Sequence, residues 1–139
     1  MKLENLMQKR VVTVDIDSSL WEVKMLFDNT KFHHLLVTEN SLIVGIISDR
    51  DYLKAVSPNL GTAAETQKDT VTLNKRAHLI MTRSLHTLSK EHTVADAISL
   101  FNHKNISCIP IIDEHKEIQG IISWRDIMKL MYQKLSSNK

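Results

Sequence analysis

The chain is written twice. GIISDRD at 45–51 returns as GIISWRD at 120–126, with six of seven positions identical. Upstream, SSLWEVKMLFDNTKF (18–32) lies over HTVADAISLFNHKNI (92–106), and Leu26 and Phe27 fall on Leu100 and Phe101. VVTV (11–14) lies over LHTL (85–88), and NLM (5–7) over LIM (79–81). Between helix and heptad, HHLLVTENSLIVG matches SCIPIIDEHKEIQG with one extra turn residue in the second copy. Downstream, DYLKAV (51–56) matches DIMKLM (126–131). Self-similarity at this period constrains the fold more than any single motif does: each copy must be one small unit. The boundaries read as 1–56 for the first repeat, 57–77 for a polar linker, 78–135 for the second repeat and 136–139 for a tail.

Each copy has the same order of patterns. A short extended piece (12–14; 86–88) comes first. A helix follows, opened by Ser19-Leu20-Trp21-Glu22 in one copy and Thr93-Val94-Ala95-Asp96 in the other, both of capping-box form. Leu20, Val23 and Phe27, and Val94, Ala97, Ile98 and Phe101, recur at helical spacing. Two β-rich runs joined by a polar turn come next, and then a second helix (49–56; 124–134). The expectation is an α+β fold of two β-α-β-β-α repeats. One copy alone leaves a sheet face and helix faces uncovered, so two packed together, with pseudo-twofold symmetry, give a reason for the duplication. The linker is expected to be a loop with some helix toward its end.

Composition excludes several functions. The net charge of +2 and 24% charged residues hold no Lys/Arg block, and nucleic acid is not an expected partner. Cys108 is the one cysteine, so no intrachain disulfide or zinc ribbon can form; in CIPII it reads as a buried thiol. The seven histidines show one adjacent pair and no HExxH, so no metal is expected. No catalytic Ser/His/Asp order, P-loop or GxGxxG is present, and the chain is not read as an enzyme. No apolar run approaches a membrane span, and the start lacks a signal-peptide core, so no membrane association and a cytoplasmic location are expected. Gly45 and Gly120 are single glycines, as at a bulge or close approach.

The heptad supports two readings. In one, Ser48 and Ser123 are helix caps, answered three residues on by Asp51 and Asp126. In the other, the same helix start offers N–H groups and a hydroxyl to a phosphate, and the carboxylate accepts from two neighbouring hydroxyls, as a ribose diol presents.

The element order, the run CIPIID (108–113) and the paired GIISxRD resemble the CBS domain, and two in tandem resemble a Bateman module. The resemblance covers 1–56 and 78–135. It implies a stand-alone regulatory module that binds AMP, ADP, ATP or S-adenosylmethionine in the cleft between the repeats, with no cofactor required. It also implies a homodimer and an effect on a separate effector protein. The alternative is a structural dimer scaffold without a ligand. By the resemblance, Ser48 and Ser123 contact phosphate, and Asp51 and Asp126 hold ribose. Val12, Thr13, His86 and Thr87 fall in the stretch that lines the base pocket, although for the valines and Leu85 ordinary strand packing is the favoured reading. Ile109 and Pro110 belong to the CIPIID run. His33 and His34 stand where relatives carry basic residues; otherwise one is solvated and the other a buried histidine. Arg50 and Arg125 lie in the first helical turn, exposed but able to reach a di- or triphosphate. Trp124, in the place of Asp49, is read as a dimer contact. The second copy has Ser107 and Cys108 where the first has His33 and His34, and Leu36 replaces Pro110, so the two sites are expected to differ.

Overall fold

The computed structural model describes residues 1–137. The chain divides into two compact units, but not where the repeats divide in sequence. One unit is Val12–Leu85. The other joins Met1–Val11 to the chain from His86 onward. Each unit is thus completed by the lead-in that sequence order assigns to the other repeat.

In the first unit, β1 (Thr13–Asp15) runs parallel to β2 (His34–Glu39), and β2 pairs antiparallel with β3 (Leu42–Ser48), in the order β1-β2-β3. Helix α1 (Leu20–Asn29) joins β1 to β2, and α2 (Asp49–Ala55) follows β3 directly. The alternation in LIVGIIS puts Ile43, Gly45 and Ile47 on the buried face. Leu20 and Val23 of α1 are fully buried against Leu35, Val37 and Ile47, and each such side chain stabilises the fold by about 1.5–3 kcal/mol. The segment between the repeats holds a short helix, α3 (Gln67–Thr70), followed by 3-10 turns at Val71–Asn74 and Ala77–Leu79. These turns bring Leu73, Ala77 and Met81 into the same core. The linker therefore ends in helix, as expected, and its last part is a structural member of the first unit.

In the second unit, α4 (Val94–His103) precedes β4 (Cys108–Ile112) and β5 (Ile118–Ser123), an antiparallel pair, and α5 (Trp124–Ser137) follows. Leu3, fully buried, packs with Val94, Ala97, Ile109, Ile111, Ile122 and Ile127. The extended piece expected at 86–88 is reduced to one parallel bridge, Leu88 to Ile111. Pro110 explains this. In the first unit the Leu36 N–H donates to the Val12 carbonyl at 3.0 Å. Pro110 holds the equivalent place and has no N–H to give, so the ladder begins only at Leu88, whose N–H donates to the Pro110 carbonyl at 3.2 Å.

Both glycines of the heptads mark close approaches. Thr82 exchanges two backbone hydrogen bonds with Ile46 (2.8 and 3.1 Å), and Gln8 exchanges two with Ile121 (2.8 and 2.9 Å). A Cβ on Gly45 would collide with the Met81 side chain, with Cγ at 2.8 Å; on Gly120 it would stand 2.7 Å from the Gln8 carbonyl oxygen. Each glycine also borders a register shift in its hairpin. The α+β class expected from sequence is thus present, and the repeated order holds except for the first strand of the second copy.

One helix start differs from the expectation. Ser19 is the N-cap of α1, but its side chain makes no cap bond. The neighbouring Ser18, buried, accepts from the Asp15 N–H of β1 at 3.0 Å. The box at Thr93 and Asp96 forms in full.

Candidate functional site

The two heptads place Ser and Asp in the same way, and then use them differently. In the first unit the Ser48 N–H donates to Asp51 Oδ2 (2.9 Å), and the Asp51 N–H donates to Ser48 Oγ (3.1 Å), a closed capping box. Ser48 Oγ is here an acceptor, so its proton remains available. Asp51 Oδ1 carries no bond among the described residues. In the second unit Asp126 Oδ2 accepts both the Ser123 N–H (2.8 Å) and the Ser123 hydroxyl (3.2 Å). A carboxylate cannot donate, so the Ser123 proton is committed. Asp126 Oδ1 accepts from Gln8 Nε2 at 3.1 Å. Asp126 is 7% exposed, whereas Asp51 is half-buried.

The sheet of the first unit gathers more of the expected residues around Ser48. His34 is its cross-strand partner, and Val12 meets β2 two residues further on, at Leu36. Val12 and His34 are half-buried, and Thr13 is exposed. Burial is the largest influence on His34 and holds its imidazole below the usual value of 6.5; the Asp49 charge opposes this. His34 is therefore neutral near pH 7 and offers hydrogen bonds rather than charge. His33 is exposed, and its Nδ1 lies 2.9 Å from Asp49 Oδ2. Burial works to raise the Asp49 carboxyl, but the His33 hydrogen bond and charge outweigh it, so the group sits below the ordinary carboxylate value. The pair is thus one exposed histidine and one half-buried. His33 and Asp49, with Phe27, Thr30, Lys31 and Phe32, line a shallow cleft of about 420 Å³. Arg50 is exposed.

In the second unit Cys108, buried, replaces His34 as the cross-strand partner of the serine. Ile109 is fully buried in the core, and Pro110 is fully buried as well, so neither side chain opens to solvent in this structure. His86 and Thr87 are half-buried, and Thr87 lines a separate cleft of about 450 Å³ with Ser89, His92, Asp113 and Gln119 among others. Arg125 is exposed, its guanidinium 5.9 Å from the centre of the Trp124 ring. Gln8 is the site residue that sequence reading missed. Its signal was the position after the matched NLM and LIM, where Gln8 faces Thr82.

A profile of the CBS domain matches residues 3–58 and 77–133, most of the chain. The chain belongs to the CBS-domain family. The CBS-domain pair of protein MJ0100, solved in complex with 5′-methylthioadenosine and S-adenosyl-L-methionine, superposes with a TM-score of 0.77 at 24% identity, covering 96% of this chain and 98% of that one. A CBS domain-containing protein of Dictyostelium discoideum is 27% identical over 96% of this chain and 92% of its own length. The L-aspartate semialdehyde sulfurtransferase of Methanocaldococcus jannaschii is 26% identical over 92% of this chain, which spans 23% of that enzyme. Two further relatives from M. jannaschii are spanned to 39% and 49% of their length, so this CBS pair matches only a part of several larger proteins. Among the described residues no helix is long and apolar enough to cross a membrane, and no group of three or more His, Cys, Asp or Glu could hold a metal ion.

Proposed function

We propose that this CBS pair is a regulatory module that takes an adenosyl ligand, with AMP, ADP, ATP and S-adenosylmethionine as candidates, and alters a separate effector protein. The observation that carries the reading is the Ser48 hydroxyl beside the unbonded Oδ1 of Asp51: a donor suited to phosphate and an acceptor suited to a ribose diol, three residues apart. The adenosyl ligands of the MJ0100 pair support the chemical class. The lone thiol of Cys108 needs no oxidising compartment, in keeping with a cytoplasmic protein. Any effect on an effector requires that the ligand bind two states of the module unequally.

The module works as a homodimer in this proposal. Trp124, Met128, Met131 and Leu135 recur at helical spacing on α5 and are all exposed, the pattern of an apolar stripe that a partner covers. Light scattering should give twice the chain mass, and M131E should halve it. A monomer in the unmodified protein would remove the dimer from the proposal.

The closed capping box of Ser48 and Asp51, with the bonds that Ser123 and Gln8 give to Asp126, favours a second reading, a scaffold without a ligand. Thermal unfolding with AMP, ADP, ATP, S-adenosylmethionine and GTP separates the two. A probe at 100 times its dissociation constant stabilises the native state by about 2.7 kcal/mol, which is several degrees for a chain of this size. No shift with any probe at millimolar concentration would leave the scaffold reading.

A further inference from the structure

The two lead-ins pair with their units in the same way but carry different side chains at the same place. Gln8 and Thr82 each exchange two backbone hydrogen bonds with the first residue of the motif's Ile pair, Ile121 and Ile46. From that position the Gln8 amide reaches Asp126 Oδ1 at 3.1 Å. The shorter Thr82 makes no bond to Asp51 among the described residues. The serines differ as well. Ser123 gives its proton to Asp126 Oδ2, whereas Ser48 keeps its own.

We propose that Gln8 is a specificity-determining residue: it occupies the carboxylate oxygen that the second repeat would offer a ribose, and so makes the Ser48–Asp51 site the one filled first. The inference rests on the adenosyl-ligand reading above. A ribose hydroxyl arriving at Asp126 must displace a charge-assisted hydrogen bond on a buried carboxylate, where Asp51 asks for no such exchange. A bond of that kind weakens the competing ligand by roughly 10- to 100-fold. Gln8 is 118 residues from Asp126 in sequence, and so the N-terminal segment carries the selectivity of a motif near the other end of the chain.

Titration calorimetry on the full chain tests this, with AMP, ATP and S-adenosylmethionine as separate probes. Five proteins are compared: unmodified, Q8T, T82Q, D51N and D126N. Q8T and T82Q exchange the residues that the two lead-ins already carry, so backbone pairing is kept, and circular dichroism with a melting curve verifies folding. In the unmodified protein one probe should fill one site per chain, and D51N should abolish that event. Q8T should add a second event or tighten the weaker one by about tenfold or more, and T82Q should weaken the first event by a similar factor. Two equal sites in the unmodified protein, a Q8T titration indistinguishable from it, or binding lost in D126N rather than D51N would overturn the inference and leave the ligand reading standing. No binding of any probe to either the unmodified protein or Q8T would overturn both.

Discussion

At Gly120 one added methyl group separates a paired lead-in from a displaced one. Its Cβ would meet a backbone carbonyl that two hydrogen bonds fix in place, so G120A should cost about 1–3 kcal/mol in urea unfolding. G45A meets the Met81 side chain instead, which can turn aside in part, and should cost less. An equal or reversed order would show that the Gln8 backbone yields as readily as a thioether. His34 gives a pH dependence. Its folded value lies below 6.5, so the unfolded chain binds the proton more readily. Its contribution to stability is complete above about pH 6.5 and is lost as pH falls through the lowered folded value. Asp49 and Asp51 soften the effect, and His33 and Arg50 add to it. The melting temperature should decline more steeply between about pH 7.5 and about pH 5.5 in the unmodified protein than in H34Q. Parallel declines would remove His34 as the cause. These residues also show what a sequence can and cannot announce. Ser48 and Asp51 were legible because their partnership is three residues long. Gln8 was not, because nothing local links it to Asp126.

Among the elements, the helix starts differ in what holds them. T93A removes a side chain that accepts from the Asp96 N–H at 3.2 Å, and should cost about 1 kcal/mol. S19A removes a side chain with no cap bond and should cost only a few tenths. Denaturant unfolding of the two variants side by side checks this, and equal losses would place a cap at Ser19 that the structure lacks. The letters around Ser19 and Thr93 are of one form, so the sequence could not distinguish them. The residue before the cap does not account for it, because His92 Nδ1 accepts from the Ser89 N–H at 3.0 Å just as Ser18 Oγ accepts from the Asp15 N–H. The strand missing at 86–88 was readable in principle. Pro110 was visible as a departure between the copies, but its effect depends on which strand needs its N–H, and that is a property of the sheet. Hairpins and helices, in contrast, followed from period and turn chemistry alone, and their positions hold to within a few residues.

On the scale of the whole molecule the exchange of lead-ins matters most. NLM and LIM are near copies, so comparison of the repeats reveals that a lead-in exists but not which unit it completes. Leu3 fills the second unit's core, and L3A should destabilise by about 2–5 kcal/mol. Removing residues 1–8 should raise amide hydrogen exchange in α4, β4, β5 and α5 while leaving β1 to α2 protected. Exchange rising equally in both units would overturn the assignment of the lead-in. The exchange also sets an order of events on the ribosome. The unit Val12–Leu85 is continuous and can close as soon as Met81 and Thr82 have emerged. Residues 1–11 are made before that unit, yet their partner Ile121 is made after it. At about 5–20 residues per second the segment waits roughly 5–20 seconds for it. During that interval Leu3, Leu6 and Met7 are apolar and uncovered, so the segment whose partner arrives latest is the part of the pair most in need of a chaperone.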